Sequence, residues 1–368
     1  MTSQDESKQA EDCKGKERKK ILVWKSAQSS SSNPVFTLYH NIYHLFAFVN
    51  IGLLAEFLAT VFTMSKKFVP EDIPNLSGKV ILVTGGNTGL GKDTILQLSK
   101  HSPKEIFLGA RTQGKAEAAI HEIQQQVPDA KITHLPLDLT SFPSIFNAAE
   151  QFKSKASRLD ILIHNAGIMA VPYSLTPQNH EIQFGTNHTG PFLLTKLLLP
   201  TLLSTAEQPN SDVRVITVSS SGHHMAPWAG IVYEQEKLQD YGPWRRYGQS
   251  KLANILFAQE LAKRHPKITS VAVHPGVIQT DLYASQIETN FIVRNGLKLA
   301  SMTPIFTTVE EGAMNQLWAA TMPKVESGKY YVPVGKVNGG SFWHAQKPEL
   351  ARALWDWSEA ECKKHGFE

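Results

Sequence analysis

The sequence predicts an α/β fold: one doubly wound parallel sheet flanked by helices, preceded by an amino-terminal extension. Three observations point there. Short apolar runs alternate with helical stretches from Val80 to Gly276. A glycine-rich turn, TGGNTGLG (Thr84 to Gly91), sits between the first apolar run and the first helix. Finally, a chain of 368 residues with 42% hydrophobic content can bury the core of one large domain.

The alternation can be followed element by element. VILV (Val80 to Val83) reads as a short buried strand, followed by a helix from about Lys92 to Lys100. Next come the strand EIFLGA (Glu105 to Ala110), a helix from about Lys115 to Gln126, and the strand KITHLPLD (Lys131 to Asp138). A helix to about Lys155 leads into LDILIHNAG (Leu159 to Gly167), then a helix around Pro191 to Ser204 and the strand VRVITVSS (Val213 to Ser220). A helix containing Tyr247 runs to about Lys263 and precedes the strand ITSVAVHPG (Ile268 to Gly276). No internal repeat is visible.

The amino-terminal part is of a different kind. Residues 1–34 are polar, rich in lysine and then serine, the composition of a disordered tail. Residues 35–66 are expected to form an apolar helix. Its core, Ile42 to Met64, is 23 residues long and free of Lys and Arg, long enough to span a bilayer at ~1.5 Å per residue. Glu56 and Asn50 count against simple spanning. A spanning anchor, an interfacial helix and a helix packed on the domain stay open. So does an upstream extension, with translation starting at Met64. The expectation is a membrane-associated protein with its catalytic domain facing the cytosol, or a cytoplasmic one if Met64 is the start.

Composition narrows the chemistry. The formal charge of +4 owes much to Lys14 to Lys20, so no nucleic-acid partner is expected. Cys13 and Cys362 lie near opposite ends and supply neither a disulfide framework nor a zinc spacing. The 14 histidines include no HExxH and no histidine pair with a matching carboxylate, so no metal is expected.

Gly85, Gly89 and Gly91 form a G-x3-G-x-G pattern at a strand-to-helix turn. Such a turn lets the backbone approach a pyrophosphate and aims a helix N-terminus at its charge, the logic of Rossmann-type dinucleotide binding. An NAD site would show an acid after the second strand to meet the ribose 2′-hydroxyl. Here Arg111 follows Ala110, with Lys115 four residues later. Those cations attract a 2′-phosphate, so NADP is favoured over NAD.

Tyr247 and Lys251 in YGQSK are spaced i, i+4 and share a helix face. A neighbouring ammonium favours phenolate and readies the tyrosine for proton transfer to or from a carbonyl oxygen. The spacing alone also arises by chance on solvated faces; the upstream glycine motif gives it weight.

With these residues, the chain from about Asp72 to its end resembles the short-chain dehydrogenase/reductase family, and within it the retinol-dehydrogenase and WW-domain-oxidoreductase-like branch. The family's cofactor motif falls on Thr84, Gly85, Asn87, Gly89, Leu90 and Gly91, and its adenine-contacting Asp on Asp138, followed by Leu139. Its NNAG appears as His164-Asn165-Ala166-Gly167, a departure at the first position. The family asparagine falls on Asn187; the glycosylation sequon there is discarded, since an active-site residue could not be modified. The catalytic serine falls on Ser220, with a one-place ambiguity left by Ser219 and Ser221, and Thr217 stands where this branch often has Asn. Tyr247 and Lys251 complete the set. Pro275, Gly276, Val277 and Thr280 match the segment lying against the nicotinamide.

The resemblance implies a domain from 72 to 368 and an NADP(H)-dependent oxidoreductase moving hydride between nicotinamide and a lipophilic alcohol or carbonyl. It casts Tyr247 as general acid or base, Lys251 as the ribose-binding cation that lowers the Tyr pKa, and Ser220 as the donor to the substrate oxygen. Asn187 would hold a water linking Lys251 to solvent. Tyr283 to Phe306 would be the substrate lid. Between Ser220 and Tyr247, the residues Trp228, Tyr233, Tyr241 and Trp244 are aromatic enough to wall an apolar pocket, and surface packing reads them equally well. The alternatives are an NAD-dependent alcohol dehydrogenase and a catalytically silent dinucleotide-binding scaffold. Dimers or tetramers are typical of the family, yet the branch includes membrane-bound monomers, so oligomeric state stays open.

Overall fold

A computed structural model of the chain describes residues 68–276, 278, 307–338 and 344–368. The expected tail and apolar helix (1–66), Val277, Thr280 and the expected lid (283–306) lie outside the described residues.

β1 (Val80–Thr84) is followed by α1 (Gly89–Ser99), β2 (Glu105–Ala110), α2 (Gln113–Gln126), β3 (Ile132–Pro136), α3 (Phe142–Lys155) and β4 (Ile161–His164). A helical turn, Ile182–Phe184, runs through a π-helical segment, Gly185–Thr189, into α4 (Gly190–Ala206). β5 (Val213–Val218), α5 (Pro243–Arg264), β6 (Ile268–Val273), α6 (Val309–Thr321), β7 (Tyr330–Val332), β8 (Lys336–Asn338) and α7 (Pro348–Lys364) complete the order.

The eight strands lie in the order β3-β2-β1-β4-β5-β6-β7-β8. All neighbouring pairs are parallel except β7 with β8, so the sheet predicted as parallel ends in one antiparallel edge strand. The order reverses direction between β1 and β4, leaving a crevice at their carboxyl ends, where ligands bind in such sheets.

Strand alternation explains the two-sided core. Ile81 and Val83 join Ile95, Leu98 and Leu317 on one face, while Val80 and Leu82 join Phe142, Leu162 and Leu198 on the other. Covered on both faces, β1 is buried along its whole length. Caps fix several helix starts: Ser141 accepts from Ser144 N before α3, and Thr308 and Glu311 form a reciprocal capping box before α6.

Several boundaries differ from expectation. The first helix begins at Gly89 rather than Lys92, because the glycine turn itself enters the helix. Beyond Gly276, α6, β7, β8 and α7 were not anticipated. The two strands are three residues each, too short to show a period. By contrast, α7 buries Ala351, Leu354, Trp355, Ser358 and Cys362, a 3.6-residue pattern that was available in the sequence.

Candidate active site

A cleft of about 650 Å³ opens at the carboxyl ends of β1, β2 and β4. Its walls include Thr84, Gly85, Asn87, Gly89, Leu90, Arg111, Lys115, Asp138, Leu139, Asn165, Ala166 and Gly167, so most of the residues expected to bind cofactor share one space.

Backbone and small residues build its floor. Gly85 (φ +68°) and Gly89 (φ +51°) adopt the left-handed region that glycine enters without strain. Gly91 does not line the cleft. A Cβ there would fall 2.3 Å from Gly85 O, so this glycine lets α1 press against the turn. Thr84 Oγ1 accepts from Asn165 N and Ala166 N at 3.1 Å each, and Asn165 Nδ2 donates to Thr84 O at 2.9 Å. The ends of β1 and β4 are thereby locked together, with the N-terminus of α1 aimed into the space between.

At the far end of the cleft, Arg111 and Lys115 are exposed on the turn after β2 and the first turn of α2. Among the described residues lining the cleft, Asp138 is the only carboxylate. Its Oδ1 accepts from Thr140 N and Thr140 Oγ1 at 2.9 and 2.8 Å. His164, the departure from NNAG, is buried with Nε2 2.7 Å from Thr195 Oγ1, and burial lowers its pKa to about 3. A neutral imidazole therefore fits the interior at that position.

The expected catalytic residues converge around Gly167 and Gly222. Tyr247 and Lys251 are both buried on α5, and Lys251 Nζ donates to Val218 O at 2.9 Å and lies 5.8 Å from the Tyr247 ring centre. Burial lowers the Lys251 pKa to about 8. A Cβ on Gly167 would lie 3.1 Å from Asn187 Oδ1 and 3.3 Å from Lys251 Nζ, so both polar groups meet over its backbone. Asn187 sits in the π-helical segment, an irregularity frequent at functional sites. Its side chain accepts from Ile168 N and donates to Ile168 O and Ser250 Oγ, each at 2.9 Å.

Ser219 and Ser220 differ in their surroundings. Ser219 is buried and donates to Lys251 O at 2.7 Å. Ser220 is half-buried, and its Oγ accepts from Gly222 N at 3.0 Å, which leaves its own hydrogen to donate. Gly222 in turn faces Tyr247: a Cβ there would fall 2.7 Å from Tyr247 Cε1.

The expected aromatic wall is mostly elsewhere. Trp244 meets the Tyr247 ring edge-on at 6.3 Å, but Tyr233 packs on Trp357 and Trp228 is 86% exposed. Tyr241 contributes a carbonyl that accepts from Arg246 Nη1. Pro275 and Gly276 follow β6 but do not line the cleft.

Sequence reading missed several contributors. Thr88, Ile182, Thr186 and Val309 also line the cleft. Gln316 on α6 reaches Thr94 Oγ1, and its Nε2 lies 3.5 Å from Leu90 O and 3.4 Å from Asn165 Oδ1. No local pattern marks it, since it meets those residues only through the fold. Glu181 Oε1 pairs with Arg246 Nε at 3.2 Å, both buried, tying the helix that carries Asn187 to the helix that carries Tyr247. The reading that no histidine pair has a matching carboxylate needs correction: His180, Glu361 and His365 place one ligand atom each within 4.8 Å of one another. His180 is remote from the other two in the chain, which hid the grouping.

A family model described as short chain dehydrogenase matches residues 79–290. A short-chain dehydrogenase/reductase of Aspergillus calidoustus is 39% identical over 80% of this chain and 97% of its own length. Human retinol dehydrogenase 12 is 36% identical over 77% of this chain and 89% of its own. Among solved structures, an NADPH-bound carbonyl reductase from chicken fatty liver is 26% identical, covering 74% of this chain and 99% of its own, with a TM-score of 0.54.

Proposed function

Since the chain belongs to the short-chain dehydrogenase/reductase family, in its retinol-dehydrogenase-like branch, and is an NAD(P)-dependent oxidoreductase, we propose that it prefers NADP(H) and acts on a lipophilic alcohol or carbonyl. The observation that carries the cofactor preference is the pair Arg111 and Lys115 at the rim of the cleft, where an NAD site would present an acid.

The cradle fits a dinucleotide: a Cβ at Gly91 would drive into the turn, and α1 presents its N-terminus to the cleft. Thr84, Gly85, Asn87, Gly89 and Leu90 would hold the pyrophosphate side, Asp138 and Leu139 the adenine side, and Asn165, Ala166 and Gly167 the nicotinamide ribose side. When bound, the nicotinamide supplies or takes up the hydride. Tyr247 gives a proton to the carbonyl oxygen in reduction and takes it back in oxidation. Lys251 stabilises the Tyr247 phenolate and binds the ribose. Ser220 donates to the substrate oxygen as charge develops there, the assignment favoured because Ser219 is committed to Lys251 O. Asn187 fixes Ile168 and Ser250 through its side chain and so shapes the water path to Lys251.

The lipophilic substrate is supported by the relationship to retinol dehydrogenase 12 and by Trp244, Met169 and Met225 beside Tyr247. Membrane attachment through residues 35–66 is part of the same proposal and rests on the 23-residue apolar stretch. Among the described residues, no helix is long and apolar enough to cross a membrane. Extraction of the native protein from membranes with and without detergent, together with mass spectrometry of its amino terminus, tests that part.

The cofactor preference is tested by the dissociation constants of the full chain for NADPH and NADH at one salt concentration. NADPH should bind at least about tenfold tighter, or ~1.4 kcal/mol. Arg111→Asp should weaken NADPH far more than NADH; equal losses would retire the 2′-phosphate assignment in favour of NAD-dependent alcohol oxidation. Binding of a dinucleotide with no turnover on any alcohol or carbonyl would favour a silent scaffold, and failure of the folded protein to bind either would overturn the cofactor reading.

A further inference from the structure

On the side of the domain where α7 ends, three groups converge that the oxidoreductase chemistry does not use. Glu361 and His365 are spaced i, i+4 at the end of α7. His180 comes from the segment just before Glu181 and is buried. Its Nε2 lies 3.1 Å from Glu361 Oε2, and His365 Nε2 lies 3.9 Å from the same oxygen.

The hydrogen-bond bookkeeping of this cluster is short of a positive centre. Thr189 Oγ1 spends its one hydrogen on Gly185 O at 3.3 Å, so toward His180 Nδ1, at 3.1 Å, it can only accept. That places the His180 proton on Nδ1 and turns the Nε2 lone pair toward Glu361. His365 Nε2 is buried with no hydrogen-bond partner. One ligand atom from each of His180, Glu361 and His365 thus lies within 4.8 Å of the other two. Lys364 Nζ sits 3.3 Å from both Glu361 oxygens on an exposed side chain, which leaves the inner face of the carboxylate to the two imidazoles.

We propose that His180, Glu361 and His365 bind a divalent transition-metal ion of the zinc class, with solvent completing the coordination. The donor set, two imidazole nitrogens and one carboxylate oxygen, is one that zinc accepts. Tetrahedral bonds of ~2.0–2.2 Å separate ligand atoms by about 3.4 Å, and the two spacings to Glu361 Oε2, 3.1 and 3.9 Å, bracket that value. Thr189 fixes the tautomer of His180, as outer-shell groups do for ligating histidines. The partly exposed Glu361 and His365 provide the route of entry. The ion would pin α7 to the segment whose next residue, Glu181, caps the helix leading to Asn187.

The test uses the full chain, stripped with a chelator and dialysed, then titrated with Zn2+ against a chromophoric competitor and with Co2+ as a spectroscopic probe. One equivalent of Zn2+ should bind, Co2+ should give the visible bands of a low-coordinate site, and Zn2+ should raise the melting temperature. His365→Gln and Glu361→Gln, at partly exposed positions, should each weaken binding by more than about tenfold. Equal binding by wild type and both variants would show the ion held elsewhere and overturn the proposal. Absence of binding by folded wild-type protein would overturn it too, leaving a proton between His180 and Glu361 as the link.

Discussion

At the phosphate cradle, backbone meets backbone: Gly85 N donates to Gly109 O at 2.7 Å, and Gly91 leaves no room for a Cβ against Gly85 O. Around α5 the contacts run instead from side chains to groups far away in the chain, such as Glu181 with Arg246, Asn187 with Ser250, and Lys251 with the carbonyl of Val218. The glycine turn is shaped by what is missing from its residues, α5 by what is present on its residues. Such a difference dictates how each fails. An added methyl damages the first, while the second suffers when one partner of a buried pair is removed.

The largest effect expected is on chemistry. Tyr247→Phe removes the proton donor without changing the ring that packs on Met169 and Ala170, so turnover should fall by about 10²–10⁴ with cofactor affinity kept. Single-turnover kinetics and cofactor titration check this, and an active Phe variant would sink the role given to Tyr247. Glu181→Ala comes next. It leaves the Arg246 guanidinium buried without its carboxylate and uncaps Gln183 N and Phe184 N. A loss of about 3–5 kcal/mol follows, read by denaturant unfolding, and turnover should fall with it because two helices lose their tie. A smaller loss, with turnover intact, would mean that α5 is held by its apolar packing alone. The smallest is Gly91→Ala, about 1–3 kcal/mol from overpacking, accompanied by weaker cofactor binding but little change in turnover at saturation. If Gly91→Ala instead abolished turnover at saturating cofactor, the two regions would be mechanically coupled and the contrast would fail.

The same contrast explains what the sequence reveals. Glycines that a turn requires leave a local, ordered trace, so Gly85, Gly89 and Gly91 announce the cradle, and the alternation of strand and helix announces the sheet through β6. Tyr247 and Lys251 are legible because one helix turn relates them. Gln316, Glu181 and Arg246 are not, since their partners become neighbours only after the chain folds. The serine ambiguity has the same origin: VSSS gives three equivalent residues, and the commitment of Ser219 to Lys251 O, visible only in the fold, sets that one apart. β7 and β8 escape notice because three residues carry no period, whereas the apolar stripe of α7 could have been read directly.

The margins of the sheet bear on how the protein should be handled. One outer strand, β3, ends in Pro136, which lacks an N–H; the other, β8, offers three residues beginning with Lys336. Neither is a good template for a strand from another molecule. The aggregation hazard therefore lies inside, in runs such as VILVT and VRVITV that both faces cover in the native state. While folded, the protein hides them; once melted, it releases them together and refolding competes with precipitation. Shelf life and heat resistance will then be governed by how fast the molecule opens, and a melting temperature will shift with the heating rate.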